Sequence, residues 1–262
     1  MSGGQARGWA FVTGGGGDIG GAICDKLARN GFAIACADIN EAAAERTAQR
    51  LIAAGGVAAA LTMDVTDEAA VNTAARRALD LGDVRVLVNG AGRAHAASIF
   101  GMDYATWQAD IRVNLDAAFL CIHAFHDHFV ANGGCIVNIA SVNGLGMYGH
   151  PAYSAAKAGL IHFTKCLAVE YGPYNIRVNA VAPGTVRTRA WESRLAANPA
   201  VFDEVKAWYP LRRISEPADV AAMVGFLASD EASMITGTVM TVDGGLTAGV
   251  PALSATITQN QR

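Results

Sequence analysis

Several features are missing from this 262-residue chain, and each absence removes a class of function. There is no run of like charge and no low-complexity tract, and 20 Lys and Arg stand against 23 Asp and Glu. A nucleic-acid surface would need clustered Lys and Arg, so none is expected. The first eight residues are polar and Gly-rich with no apolar centre, unlike a secretory signal. Glycines and charges break every apolar stretch short of the roughly 18 residues a membrane span needs. The chain is therefore expected to stay in a reducing cytoplasm, with no membrane partner. Its cysteines, Cys24, Cys36, Cys121, Cys135 and Cys166, include no CxxC pair. They read as small buried hydrophobes rather than disulfides or metal ligands. His123, His126 and His128 lie close together, but Phe125 and Phe129 between and beside them suggest an ordinary packed face. No metal is expected. No Pro- or Ser-rich linker divides the sequence, so residues 1–262 are expected to form one domain.

Hydrophobic residues make up 52%, enough to bury a large core. Short apolar runs alternate with longer amphipathic ones. Strands are predicted at residues 9–13, 32–37, 57–63, 84–88, 135–140, 176–182 and 239–242. Helices are predicted after the first strand and at 41–54, 66–81, 104–130, 152–171 and 217–228, with Thr66 as the N-cap of the third. Strand and helix in turn, with no two-residue hairpins, mean right-handed βαβ units. The expected fold is α/β: a Rossmann-like, doubly wound parallel sheet of about seven strands with helices on both faces.

Where the first strand meets the first helix stands Val12-Thr13-Gly14-Gly15-Gly16-Gly17-Asp18-Ile19-Gly20. Glycines there allow a sharp turn and the close approach of a pyrophosphate to a helix N-terminus. Asp38 ends the second strand about twenty residues on, where a carboxylate can accept both ribose hydroxyls of an adenosine and would repel a 2′-phosphate. The other reading of Asp38 is a helix N-cap. No Lys or Arg lies in the turn or at Ile39-Asn40, so the expected cofactor is NAD(H). Asp64 is placed to meet the adenine edge.

Tyr153 and Lys157 are four residues apart, one turn of helix, on one face. A free phenol is a poor base at neutral pH, and a neighbouring cation favours the phenolate. A fall of about three pKa units corresponds to about 4 kcal/mol, which Lys157 and a positively charged nicotinamide together can supply. Tyr153 is then a candidate acid/base. Ser141 follows the fifth predicted strand, at the edge where parallel sheets bind ligands, and can donate to a substrate oxygen. Asn114 is a polar residue within an apolar helix pattern.

With these residues in view the chain resembles the short-chain dehydrogenases/reductases, in the single-domain branch of about 250 residues. The resemblance rests on the turn at Thr13, Asp64-Val65, Asn89-Gly90-Ala91-Gly92, Asn114, Ser141, the Tyr153/Lys157 pair and Pro183-Gly184-Thr185, in order from Trp9 to Gly245. It implies that Tyr153 is the catalytic acid/base, that Lys157 holds the nicotinamide ribose and lowers the tyrosine pKa, that Ser141 orients the substrate oxygen, and that Asn114 holds a relay water. Asn89 would stabilise the sheet centre and the site. The implied cofactor contacts are Gly14, Gly17, Asp18, Ile19, Gly20, Asp38, Ile39, Asp64, Val65, Asn89, Ala91, Tyr153, Lys157, Pro183, Gly184, Val186 and Thr188. The family pattern would place Gly at Asp18, and Asn at Gly90. A carboxylate beside a pyrophosphate is unfavourable unless it points away, for example capping the helix.

Residues 185–213 read as an irregular lid with Trp191, Phe202, Trp208 and Tyr209 among several arginines. Those arginines fit either a substrate anion or pairing with Glu192, Asp203 and Glu204. His95, Asn143 and Trp191 are candidate substrate contacts, and His150 flanks the site. The tail, 246–262, fits either an unordered end or a segment lying on a neighbouring subunit. The expected partners are a small alcohol or carbonyl substrate and further copies of the chain, as a homodimer or homotetramer. The leading functional expectation is an NAD-dependent alcohol, polyol or sugar dehydrogenase. The rivals are an NADPH-dependent carbonyl or 3-oxoacyl reductase and a catalytically silent NAD-sensing or scaffold protein.

Overall fold

The computed structural model describes residues 7–259, so six residues of the polar N-terminal segment and the last three of the tail lie outside it. Seven strands form one parallel sheet: β1 (Trp9–Thr13), β2 (Ala33–Asp38), β3 (Ala58–Thr62), β4 (Val84–Asn89), β5 (Gly134–Ile139), β6 (Ile176–Pro183) and β7 (Val239–Val242). Their order is β3-β2-β1-β4-β5-β6-β7. The chain starts in the middle, builds outward to β3, then returns past β1 and builds the other way. The order reverses between β1 and β4, and their carboxyl ends open the crevice where such sheets take ligands.

The period-two alternation of strands sorts their side chains into two cores. Phe11, Leu61, Leu87 and Ile136 face one layer, covered by α3 (Glu68–Leu81), α5 (Ala117–Ala124), α6 (His126–Asn132) and α7 (Pro151–Tyr171). Val12, Ile34, Val86 and Val137 face the other, covered by α1 (Asp18–Arg29), α2 (Glu41–Ala53) and α10 (Pro217–Leu227). Burial on both faces explains why these strands are nearly continuous runs of Val, Ile and Ala.

Four local expectations need correction. Cys166 is exposed, whereas Cys24, Cys36, Cys121 and Cys135 are buried. Asp67, not Thr66, caps α3: its carboxylate accepts from the Ala69 and Ala70 N–H groups, while the Thr66 hydroxyl is spent on Asp64 Oδ1. The predicted helix over 104–130 is three pieces. α4 (Tyr104–Ile111) runs into a π-helical turn, Arg112–Asp116, then α5, and the chain breaks at Phe125 before α6. Phe125 is 1% exposed and lies edge-on to Phe11 at 5.0 Å, so core packing outweighs helix continuity there. The lid is not irregular, since it carries α8 (Glu192–Ala197) and α9 (Val201–Lys206). The tail forms α11 (Pro251–Thr258), with Leu253 and Ile257 exposed.

Candidate active site

The glycine-rich turn fits a dinucleotide in its backbone. Gly14 has φ +70, and a Cβ there would lie 3.0 Å from the Ala91 backbone. A Cβ on Gly20 would come within 2.0 Å of the Gly14 carbonyl oxygen. Nothing larger than glycine lets α1 begin this close to the turn. Its N-cap, Gly17, offers no side-chain acceptor, so the first N–H groups of α1 are free for an anion.

Asp38 sits beside this cradle. One carboxylate oxygen accepts from the Gly16 N–H at 3.0 Å and the other from the Asn40 N–H at 2.9 Å. It is not the cap of α2, because Asn40 accepts from the Ala43 N–H instead. Each Asp38 oxygen keeps a second lone pair for a ribose hydroxyl. Ile39 is exposed next to it, and Val65 is buried. Asp64 Oδ1 is occupied by both the N–H and the hydroxyl of Thr66.

Asp18 does not cap α1. It turns outward to the lid, where its carboxylate accepts from the Arg189 N–H and Nε, both at 2.7 Å. The Arg189 guanidinium also reaches the Gly16 carbonyl. The negative charge beside the turn is thus met by a cation from a segment 171 positions away.

The chemical groups gather at the carboxyl edge of β4, β5 and β6. Ser141 lies two residues past the end of β5, and its hydroxyl accepts from the Asn143 N–H. Asn143 is a tie rather than a free side chain: its amide donates to the Gly149 carbonyl and the Ser154 hydroxyl, pinning Ser141 to the start of α7. Tyr153 and Lys157 lie on one face of α7, with Nζ 5.6 Å from the Tyr153 ring centre. Lys157 is buried and donates to the Ile139 carbonyl at 2.7 Å. Asn114 lies in the π-helical turn, where its amide donates to the carbonyls of Arg93 and Asp110 and its oxygen accepts from the Arg93 N–H. A Cβ on Gly92 would be 2.8 Å from Asn114 Oδ1 and 3.3 Å from Lys157 Nζ, so these two heads converge on one glycine.

Asn89 donates to Asn138, which donates to Thr164, a chain that crosses from the sheet to α7. Asn89 Oδ1 is buried with no partner among the described residues. A cavity of about 10 Å³, lined by Thr13, Asn89, Asn114 and Lys157, has the size of a single water.

The expected lowering of the Tyr153 pKa is corrected by the protein's own environment. Burial raises it above the ordinary value of 10.0, the nearby Ser141 hydroxyl lowers it, and the Asp110 charge raises it again. Lys157 donates to a backbone carbonyl rather than the phenol, and burial pushes its own pKa down to about 8. The protein by itself therefore holds Tyr153 as a neutral phenol.

Pro183 is buried at the end of β6, and Gly184 packs against Tyr209, whose hydroxyl would lie 2.9 Å from a Cβ at that position. Val186 is buried and bridges to Ser215, leaving Thr188 partly exposed beside the turn. Trp191 packs on Phe202 and under Arg194, inside the lid's own small core. The lid arginines pair neither with Glu192, Asp203 nor Glu204. Arg187 meets Glu216, Arg189 meets Asp18 and Arg213 meets Asp219. The clustered histidines serve separate neighbours: His126 meets the Tyr171 hydroxyl, His128 the Val84 carbonyl, and His123 stacks on Phe119. Sequence reading also missed Asp110 and its bond to His95. The available signal was a lone charge one helical turn before Asn114.

A family model described as "Enoyl-(Acyl carrier protein) reductase" matches residues 16–247. Galactitol 2-dehydrogenase (L-tagatose-forming) of Cereibacter sphaeroides is 39% identical over 91% of this chain and 94% of its own. An oxidoreductase of the short chain dehydrogenase/reductase family from Burkholderia thailandensis is 40% identical, with a TM-score of 0.91 over 98% of this chain and 99% of that one. A gluconate 5-dehydrogenase from Burkholderia cenocepacia, solved with NADP and tartrate, is 31% identical with a TM-score of 0.88, covering 94% and 97%.

Proposed function

The chain belongs to the short-chain dehydrogenase/reductase family, and from that premise we propose that it is an NAD(H)-dependent dehydrogenase of polyols, sugars or related secondary alcohols. The carrying observation is the convergence of Ser141, Tyr153, Lys157 and Asn114 at the carboxyl edge of the sheet. NAD, when bound, supplies the hydride acceptor and a positive charge. Tyr153 takes the alcohol proton, and Ser141 donates to the same oxygen. Lys157 holds the nicotinamide ribose. A water seated in the small cavity, donating to Asn89 Oδ1 and close to Asn114 and Lys157, would carry the proton onward. The chain acts as one dinucleotide-binding and catalytic unit.

Asp38 supports NAD over NADP, since its carboxylate is held beside the glycine turn by the Gly16 and Asn40 N–H groups, where it would repel a 2′-phosphate. Replacing Asp38 by Ala is expected to shift the kcat/KM ratio toward NADP(H) by about tenfold or more. Steady-state kinetics with both cofactors checks this, and a wild type that already prefers NADPH would sink the NAD assignment. The second reading, an NADPH-dependent carbonyl or 3-oxoacyl reductase, has support in the description of the family model and in the NADP carried by the gluconate dehydrogenase. The same comparison separates the two.

A homodimer or homotetramer is proposed across α5 and α7, where Phe119 and Val169 are exposed and Phe119 pairs with Phe163. Light scattering is expected to give two or four times the monomer mass, and a strictly monomeric result would refute it. Among the described residues, no helix is long and apolar enough to cross a membrane.

A further inference from the structure

Asp110 in α4 is completely buried. A buried carboxylate is costly unless its oxygens are met. Its Oδ1 takes two bonds, and both come from His95: the backbone N–H at 3.1 Å and ring Nδ1 at 2.7 Å. Its Oδ2 has no partner among the described residues. A carboxylate only accepts, so Nδ1 carries the hydrogen and Nε2 is the nitrogen left to meet something else. The His95 side chain is 30% exposed, so the ring is clamped at one end and open at the other.

His95 also lies in the right place. Two residues before it, Arg93 is bonded through both its N–H and its carbonyl to Asn114. Just after it, the Ala96 carbonyl accepts from the His150 ring and the Ala97 carbonyl from the His150 N–H. His150 is the N-cap of α7, three residues before Tyr153. The Asp110 charge is felt at the Tyr153 phenol. The imidazole is thus carried on a loop stitched to Asn114 on one side and to the start of the Tyr153 helix on the other. Holding that loop needs no second ring nitrogen. Fixing one nitrogen with a carboxylate is the way proteins aim the other.

We propose that His95, clamped by Asp110, is a specificity residue whose Nε2 hydrogen-bonds the oxygen on the carbon adjacent to the reacting carbinol. The inference rests on the dehydrogenase reading above. Ser141 and Tyr153 are committed to the reacting oxygen, so a further polar group in the same cleft meets a second one. The preferred substrates are therefore vicinal diols, polyols and α-hydroxy ketones rather than simple secondary alcohols. A site built to bond a hydroxyl discriminates strongly against an analogue that lacks it.

2,3-Butanediol and 2-butanol differ by that one hydroxyl. The wild type is expected to favour the diol, and the ratio of the two kcat/KM values is expected to fall at least tenfold in both His95→Ala and His95→Asn. The Asn variant keeps a donor for Asp110 while removing Nε2. If His95→Asn restores the diol preference, the ring serves only as a clamp and the proposal is overturned. Equal losses on both alcohols overturn it too. If the wild type turns over neither alcohol, the dehydrogenase reading is what has failed, and calorimetry on the NADH complex decides the His95 question. Tighter binding of the diol than of 2-butanol, abolished in His95→Asn, supports the proposal. Equal binding of the two, or diol binding unaltered in the variant, overturns it.

Discussion

Replacing Tyr153 by Phe is expected to lower kcat by about 10² to 10⁴, the usual range for loss of a positioned acid or base. The substitution deletes one oxygen and leaves the ring, which is half-buried beside Lys157. NADH binding, followed by fluorescence titration, should weaken far less than turnover does. The raised pKa of Tyr153 sharpens the expectation. With burial and Asp110 both favouring the neutral phenol, the hydroxyl keeps the proton that a carbonyl oxygen would need, and it becomes a base only when positive charge stands near it. Retention of most of the wild-type rate on an identified substrate would remove Tyr153 from the chemistry.

Lys157 should make the stability of the free protein rise with pH. Burial holds its folded pKa at about 8, below the ordinary 10.5. Between those values the unfolded chain binds a proton that the folded chain does not, so protonation favours unfolding in that window. The cost of the charged form is fully present below pH 8 and is relieved as pH rises toward 10.5. From pH 8 to pH 10 the relief amounts to about 2 kcal/mol. Other groups titrate in the same range, so the measurement is urea unfolding of the wild type against Lys157→Met, which has no proton to release. The wild type is expected to gain that much more than the variant, and parallel pH profiles would refute the assignment. The protein thus keeps a cation in a dry place at a standing cost in stability, a common mark of a functional site.

Much of this was legible in the sequence because it is written in local patterns. Apolar runs between amphipathic stretches marked the seven strands to within a residue or so, since burial on both faces leaves no other composition for the central ones. The glycine turn, Asp38, Ser141, Tyr153 and Lys157 could be found because each occupies the end of a strand or one turn of a helix. Other features depend on contacts between distant segments, which no local pattern encodes. Arg189 lies 171 positions from the Asp18 it meets. Asp110 reads as an ordinary helix charge until the loop carrying His95 folds over it. The break at Phe125 is a tertiary override, in which a buried ring on Phe11 outweighs the helical pattern around it. The upward Tyr153 shift in the free protein was not legible, because spacing shows that a cation is near and says nothing of how much water has been removed.

The way the lid is attached sets how it can move. Its base is fastened by backbone bonds: Arg187 N–H to the Ser215 carbonyl, Ser215 N–H to the Thr185 carbonyl, and Leu211 N–H to the Gly244 carbonyl. The Thr185 N–H is held as well, by the buried Tyr209 hydroxyl. Just past that base, Arg189 is joined to Asp18 through its backbone N–H and through a partly exposed ion pair, the latter a class of contact worth about 1 kcal/mol or less and screened by salt. The frame and the door therefore have different strengths. The two short helices beyond Arg189 are held by their own small core, in which Phe202 packs with Tyr209, Ile214 and Leu246 and lies under Arg187. Added salt is therefore expected to loosen the Asp18 contact before it loosens the base.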